Sequence, residues 1–144
     1  MYRKILLAYD GSTFSAAALK QGAELAAICK AELHLLSIAS TSGGMAIGEA
    51  AGGEDVIGQA ERQLEHLVAD TVKALRERRI DVVATIREGD PATQIAAYAR
   101  QIHADLLVLG HTQRGVLSRW LEGSVGARLL AHLPCSLLVA TSGD

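Results

Sequence analysis

Short apolar runs alternate with longer stretches of helical period along the whole chain. Lys4–Tyr9, Glu32–Ala39, Val82–Glu88, Leu106–Gly110 and Ser136–Ala140 are runs of five to eight residues rich in Leu, Ile, Val and Ala. Continuous apolar runs of that length predict strands covered on both faces. After Asp10-Gly11-Ser12, a helix of about fifteen residues is predicted to end near Cys29-Lys30, lined by Ala16, Ala17, Leu19, Gly22, Ala23, Leu25 and Ala26. Small residues there let a helix lie close on a sheet. From Glu54 to Arg78, Ile57, Ala60, Leu64, Leu67, Val68, Val72 and Leu75 recur at helical spacing, with Glu61, Arg62, Glu65, Lys73 and Arg76 opposite. Gly89-Asp90-Pro91 predicts a helix start, Asp90 as N-cap and Pro91 in the first turn. Ile95, Ala96, Ala99 and Ile102 line that helix, and a short one is predicted over Ser124–His132.

Strands separated by helices predict an α/β fold in three layers, an open parallel five-stranded sheet with helices on both faces and right-handed crossovers. The length of 144 residues fits one domain over 1–144. Residues 40–54, rich in Gly, Ser and Ala without an apolar period, are expected to be a flexible loop. In open sheets of this kind a ligand lies beyond the carboxyl ends of the strands, where the strand order reverses. The positions that matter are then Asp10-Gly11-Ser12, Ile38-Ala39 and Gly110 with His111, Thr112 and Gln113.

Composition narrows the chemistry. A formal net charge of −2 offers no broad basic field for a polyanion, which argues against a nucleic-acid partner and makes any phosphate site local. No apolar run approaches a membrane span, and the first residues enter a strand rather than a leader; a cytoplasmic location is expected. Cys29 and Cys135 stand far apart, without metal-ligand spacing, and read as small hydrophobes. A nucleophile elbow, a Walker A loop, a dinucleotide GxGxxG and an HExxH are all missing from the sequence. A phosphorylation receiver needs clustered acids, an acceptor Asp after the third strand and a Lys after the fifth; Glu88 and Thr141 stand there instead.

The strongest local pattern is Leu106-Leu107-Val108-Leu109-Gly110, closing on Gly123-Ser124 before a helical run from Val125. A strand, a glycine turn and a helix start bring free N–H donors and the positive end of the helix dipole to one point, an anion site that suits phosphate. Two ordinary turn glycines explain the same residues equally well. His111 has a phosphate contact and a plain loop role open to it, Asp10 a ligand contact and a helix cap. Ser12 reads first as a cap, and Ser124 fits both roles. Trp120 reads either as a lid on the sheet edge or as a partner contact.

Four segments in order resemble the universal stress protein family across nearly the whole chain: Ile5 to Ser12, Gly89-Asp90-Pro91-Ala92, Ala104 to Gly110, and Pro134 to Val139. The resemblance implies the strand order 3-2-1-4-5 and an adenine nucleotide alpha hydrolase-like fold. It also implies a homodimer pairing strand 136–140 with its mate, and a bound adenine nucleotide, ATP or AMP, with Mg2+. In that picture Asp10 meets the nucleoside, Ala8 sits against the adenine, and the base reaches the backbone of Ile38. The phosphates meet Gly110, His111, Thr112, Gln113, Gly123, Ser124 and Val125. ATP-binding members carry Gly-x2-Gly-x9-Gly-[Ser/Thr]; here Gly110 and Gly123-Ser124 keep the spacing, and Gln113 replaces the second glycine. A Cβ there holds an anion off, whereas the Gln amide offers a donor in exchange. Three functions follow: a nucleotide-binding regulatory module in stress response that signals to a protein partner, a dimeric scaffold without nucleotide, and a slow ATPase.

Overall fold

The computed structural model describes residues 1–11, 13–39, 54–110 and 131–141. Its elements are β1 (Lys4–Ala8), α1 (Thr13–Cys29), β2 (Glu32–Ala39), α2 (Glu54–Glu77), β3 (Val82–Glu88), α3 (Pro91–Ile102), β4 (Leu106–Gly110) and β5 (Ser136–Ala140). The strands form one sheet in the order β3-β2-β1-β4-β5, every neighbouring pair parallel. Each predicted strand is present. Tyr9 falls outside β1 but keeps its ladder bond, donating its N–H to the Leu36 carbonyl at 2.9 Å. Residues 40–53 of the expected loop and most of the helix expected over Ser124–His132 lie outside the described residues; Ala131 and His132 are helical.

Because side chains alternate along a strand, the sheet has two buried faces. Ile5, Leu7, Leu33, Leu35, Leu106 and Val108 join Ala18, Ala23 and Ala26 of α1 and Val68 and Leu75 of α2 in one core. Leu6, Leu36, Leu107 and Leu109 join Ala92, Ile95, Ala96, Tyr98 and Ala99 of α3 in the other. The alanines of α1 allow a close approach. At Gly22 even a Cβ would stand 3.1 Å from Leu7 Cδ1, so an alanine there needs the Leu7 side chain to give by a few tenths of an ångström.

The start of α3 is as expected. Asp90 Oδ2 accepts from the Thr93 N–H at 3.0 Å and from the Thr93 hydroxyl at 2.8 Å, and Pro91 costs the first turn no needed donor. Helix ends were less legible. Lys30, Arg79 and His103, not glycines, take left-handed backbone angles after α1, α2 and α3, with φ of 55°, 62° and 55°. Each carries a conformational cost of roughly 1–2 kcal/mol that packing must offset.

Two polar features hold strands together. At the amino-terminal edge, Asp105 Oδ2 accepts the N–H groups of Arg3 and Lys4, both at 2.8 Å, while its own N–H donates to the Lys4 carbonyl at 2.8 Å. This clamp joins the first strand to the fourth. Under α3, the Tyr98 hydroxyl lies 3.1 Å from Thr85 Oγ1 and 3.5 Å from His34 Nδ1, and the Arg87 guanidinium stacks 4.7 Å from the Tyr98 ring centre. Buried His34 brings Nε2 within 2.6 Å of Glu32 Oε1, but the approach is not aligned as a hydrogen bond, so it is a close contact without a directed bond.

Candidate functional site at the carboxyl rim

The strand order fixes where a ligand site belongs. From β1 the chain steps outward to β2 and β3, then returns across β1 to β4 and β5, so the order reverses between β1 and β4. In open parallel sheets such a reversal is where a ligand crevice belongs, at the carboxyl ends of the strands. Leu7 pairs with Val108 and Ala8 with Leu36, which brings the ends of β1, β2 and β4 level on one rim.

Four of the expected site residues stand on this rim. Ala8 and Ile38, half-buried, both pack on the α3 side of the sheet. Both are apolar and stand near the carboxyl ends of neighbouring strands. Asp10 is exposed two residues past β1, and Gly110 ends β4 opposite Ala140. The remaining six, His111, Thr112, Gln113, Gly123, Ser124 and Val125, lie outside the described residues, as do Ser12 and Trp120.

The backbone that carries Asp10 is held from three sides. The Tyr9 carbonyl accepts from the Ser37 hydroxyl at 2.6 Å, and the Asp10 N–H contacts Ser15 Oγ at 3.4 Å. Gly11 adopts φ +84°, and a Cβ there would sit 2.5 Å from Leu67 Cδ2 of α2. The glycine of Asp-Gly-Ser is therefore required by its angle, and an added Cβ would also have to push the end of the Leu67 side chain aside. Ser15 and Ser37 were not singled out in the sequence, although one signal was present: Ser37 is a lone hydroxyl on the same side of β2 as Leu33 and Leu35.

The rim has a second anchor at β3. Gly89, at φ +130°, donates its N–H to the Ala39 carbonyl at 3.3 Å, tying the turn before α3 to the end of β2. Elsewhere, a groove of about 670 Å³ runs between α2 and the edge strand β3, past Val68, Val72, Ala84 and Ile86. Its charges, Glu65, Lys73, Arg76 and Glu77, are spread along one helix rather than converging, as the polar groups of a small-molecule site do. Among the described residues no group of three or more His, Cys, Asp or Glu is placed to hold a metal, and no helix is long and apolar enough to cross a membrane.

These features define a class: an open, doubly wound parallel α/β domain with a candidate ligand rim at the β1/β4 switch point. The universal stress protein family matches residues 1–141, and the chain belongs to that family. A curated relative, universal stress protein MJ0531 of Methanocaldococcus jannaschii, is 29% identical over 140 residues, covering 96% of this chain and 82% of its own length. A universal stress family protein from Burkholderia pseudomallei superposes with a TM-score of 0.71 at 26% identity, covering 96% of this chain and 95% of that one. A family member from Arabidopsis thaliana, solved with AMP bound, superposes with a TM-score of 0.63 at 20% identity over 96% of this chain and 91% of its own.

Proposed function

We propose that this protein is an adenine-nucleotide-binding regulatory module of the stress response, a cytoplasmic homodimer that passes its bound state to a protein partner. The observation that carries the reading is the convergence of Ala8, Asp10, Ile38 and Gly110 on one rim at the switch point. The half-buried Ala8 and Ile38 suit an adenine ring, with the exposed Asp10 carboxylate beside them for a ribose hydroxyl. The AMP in the Arabidopsis relative supports the same class of ligand.

In this proposal the phosphates lie between Gly110–Gln113 and the N–H groups of Gly123, Ser124 and Val125. Both halves are needed. A helix dipole alone contributes about 0.3–1 kcal/mol at an exposed surface, whereas each N–H bond to a charged oxygen adds roughly 1.5–3 kcal/mol. Mg2+ would accompany ATP, and Asp10 is the one carboxylate among the proposed site residues. Gln113 favours a second reading, a dimeric scaffold that binds no nucleotide, because its side chain stands where ATP-binding members have a glycine.

The test is direct. Purified protein is denatured and the released small molecules are identified by mass spectrometry; calorimetry with ATP and AMP follows on the parent, Gly123→Val and Gln113→Gly. The proposal expects an adenine nucleotide in the parent and none bound by Gly123→Val, whose branched Cβ fills the phosphate's approach. Gln113→Gly binds more tightly if the side chain obstructs and more weakly if its amide is a ligand. A parent that neither carries nor binds an adenine nucleotide leaves the scaffold reading, and a Gly123→Val protein that binds like the parent refutes the phosphate site.

A further inference from the structure

We infer that Ser37 is a positioning residue for the rim: its buried hydroxyl sets the Tyr9–Asp10 peptide and, through it, the Asp10 carboxylate that meets a nucleotide's sugar. The inference rests on the nucleotide reading above.

Ser37 is 1% exposed and lies on the side of β2 that carries Leu33 and Leu35. A hydroxyl in such a place is costly unless it is bonded. Its bond goes to a single acceptor just beyond the neighbouring strand, the Tyr9 carbonyl, at 2.6 Å. Tyr9 is the first residue beyond β1: its N–H keeps a ladder bond to the Leu36 carbonyl, and its own carbonyl is the group that Ser37 holds.

The carbonyl of Tyr9 and the N–H of Asp10 are opposite sides of one peptide plane. Ser37 of β2 grips the carbonyl and Ser15 of α1, 6% exposed, contacts the N–H at 3.4 Å. One peptide is thus held between two buried hydroxyls from different elements. Leu67 of α2, packed over Gly11, closes the other side of the turn. Rotation of this plane would swing Asp10 about the end of β1, and the Ser37 bond that opposes it is shorter than the Ser15 contact. Deleting that hydroxyl leaves the carbonyl without this donor and favours rotation toward water.

A serine that merely completes the core would affect stability alone; a positioning serine acts through Asp10. The experiment is a double-mutant cycle in AMP affinity, by calorimetry, over the parent, Ser37→Ala, Asp10→Ala and the double variant. Amide hydrogen exchange on the nucleotide-free proteins is read in parallel. Ser37→Ala is expected to weaken AMP roughly three- to tenfold in the parent background, the scale of one net hydrogen bond, and to have no further effect once Asp10 is alanine. The Asp10 and Gly11 amides should exchange faster in Ser37→Ala, while those of Lys4 to Ala8 keep their protection. Equal losses of affinity in both backgrounds would overturn the inference, as would unchanged exchange at Asp10 and Gly11. Should the parent bind no AMP, the nucleotide reading fails, and with it the functional half of this inference, while exchange still reports whether Ser37 holds the turn. Ser37→Cys, close in shape but a weak donor, serves if the alanine variant does not fold, with the same outcomes expected.

Discussion

Replacing Asp105 with alanine removes two acceptor contacts that join the first strand to the turn before β4, the N–H groups of Arg3 and Lys4 at 2.8 Å each. Hydrogen bonds to a charged group contribute about 1.5–3 kcal/mol where they are shielded, but this carboxylate is exposed, and screening cuts that sharply. A total loss of about 1–2 kcal/mol is expected, roughly 3–6 °C in Tm for a chain of this size. The pH dependence follows from the same contacts. The Lys4 N–H first and the Arg3 N–H second hold the carboxyl below its ordinary 3.8, with a smaller lowering by their side-chain charges, against partial desolvation. A depressed acid stabilises the fold above its unfolded pKa and loses that contribution as pH falls through the folded one. Urea unfolding of parent and Asp105→Ala should therefore differ constantly from pH 7 down to about 5 and converge below 3.8. Cys135 gives an independent readout. Burial raises its thiol pKa first and the Asp105 charge second, against the Leu107 backbone bond that lowers it. In Asp105→Ala the thiol should react with a maleimide faster at a given pH, by only a small factor because burial remains. Equal stability of the two proteins at pH 7, or a gap that persists undiminished at low pH, would refute the clamp.

Gly11→Ala should destabilise by about 2 kcal/mol, from the left-handed angle and the collision with Leu67, and Leu67→Ala should recover part of the loss in the double variant; a neutral Gly11→Ala in thermal melts sinks this account. Tyr98→Phe should cost about 1–2 kcal/mol by urea unfolding, because it removes the hydroxyl that lies between Thr85 and His34; unchanged stability would show that cluster to be energetically idle. For the proposed homodimer, β5 is an uncharged edge strand whose Leu137, Leu138 and Val139 are only half-buried, and such an edge invites pairing. Leu138→Lys should sediment as a monomer; a dimer of parent size would move the interface elsewhere.

The alternation of apolar runs and helical periods was sufficient for the strands and the layered α/β class, because each run is a local pattern whose burial on both faces only a covered parallel sheet provides. The cap at Asp90 was equally readable, since its bond to Thr93 spans three residues. Strand order was not readable from period: nothing in Ser136–Ala140 says that it lies beside β4, and that order came from the family resemblance. Of the rim residues, Asp10, Ile38 and Gly110 came from a topological rule applied to the predicted strand ends, and Ala8 from the family resemblance.

Tertiary structure decided the rest, and always through contacts between distant segments. Asp105 meets Arg3 and Lys4 across 102 and 101 positions, and Ser37 meets Tyr9 across 28. Neither pairing leaves a periodic mark in the chain. Lys30, Arg79 and His103, all exposed, end their helices where a search for glycine finds nothing; the residue after each, Ala31, Ile80 and Ala104, is buried in the core, and that burial offsets the left-handed angle. Asp-Gly-Ser announced a turn after β1, but its direction depends on a hydroxyl from β2, another from α1 and a leucine from α2. Sequence pattern placed Asp10 at the end of a strand; only the assembled fold determined how the backbone that carries it is held.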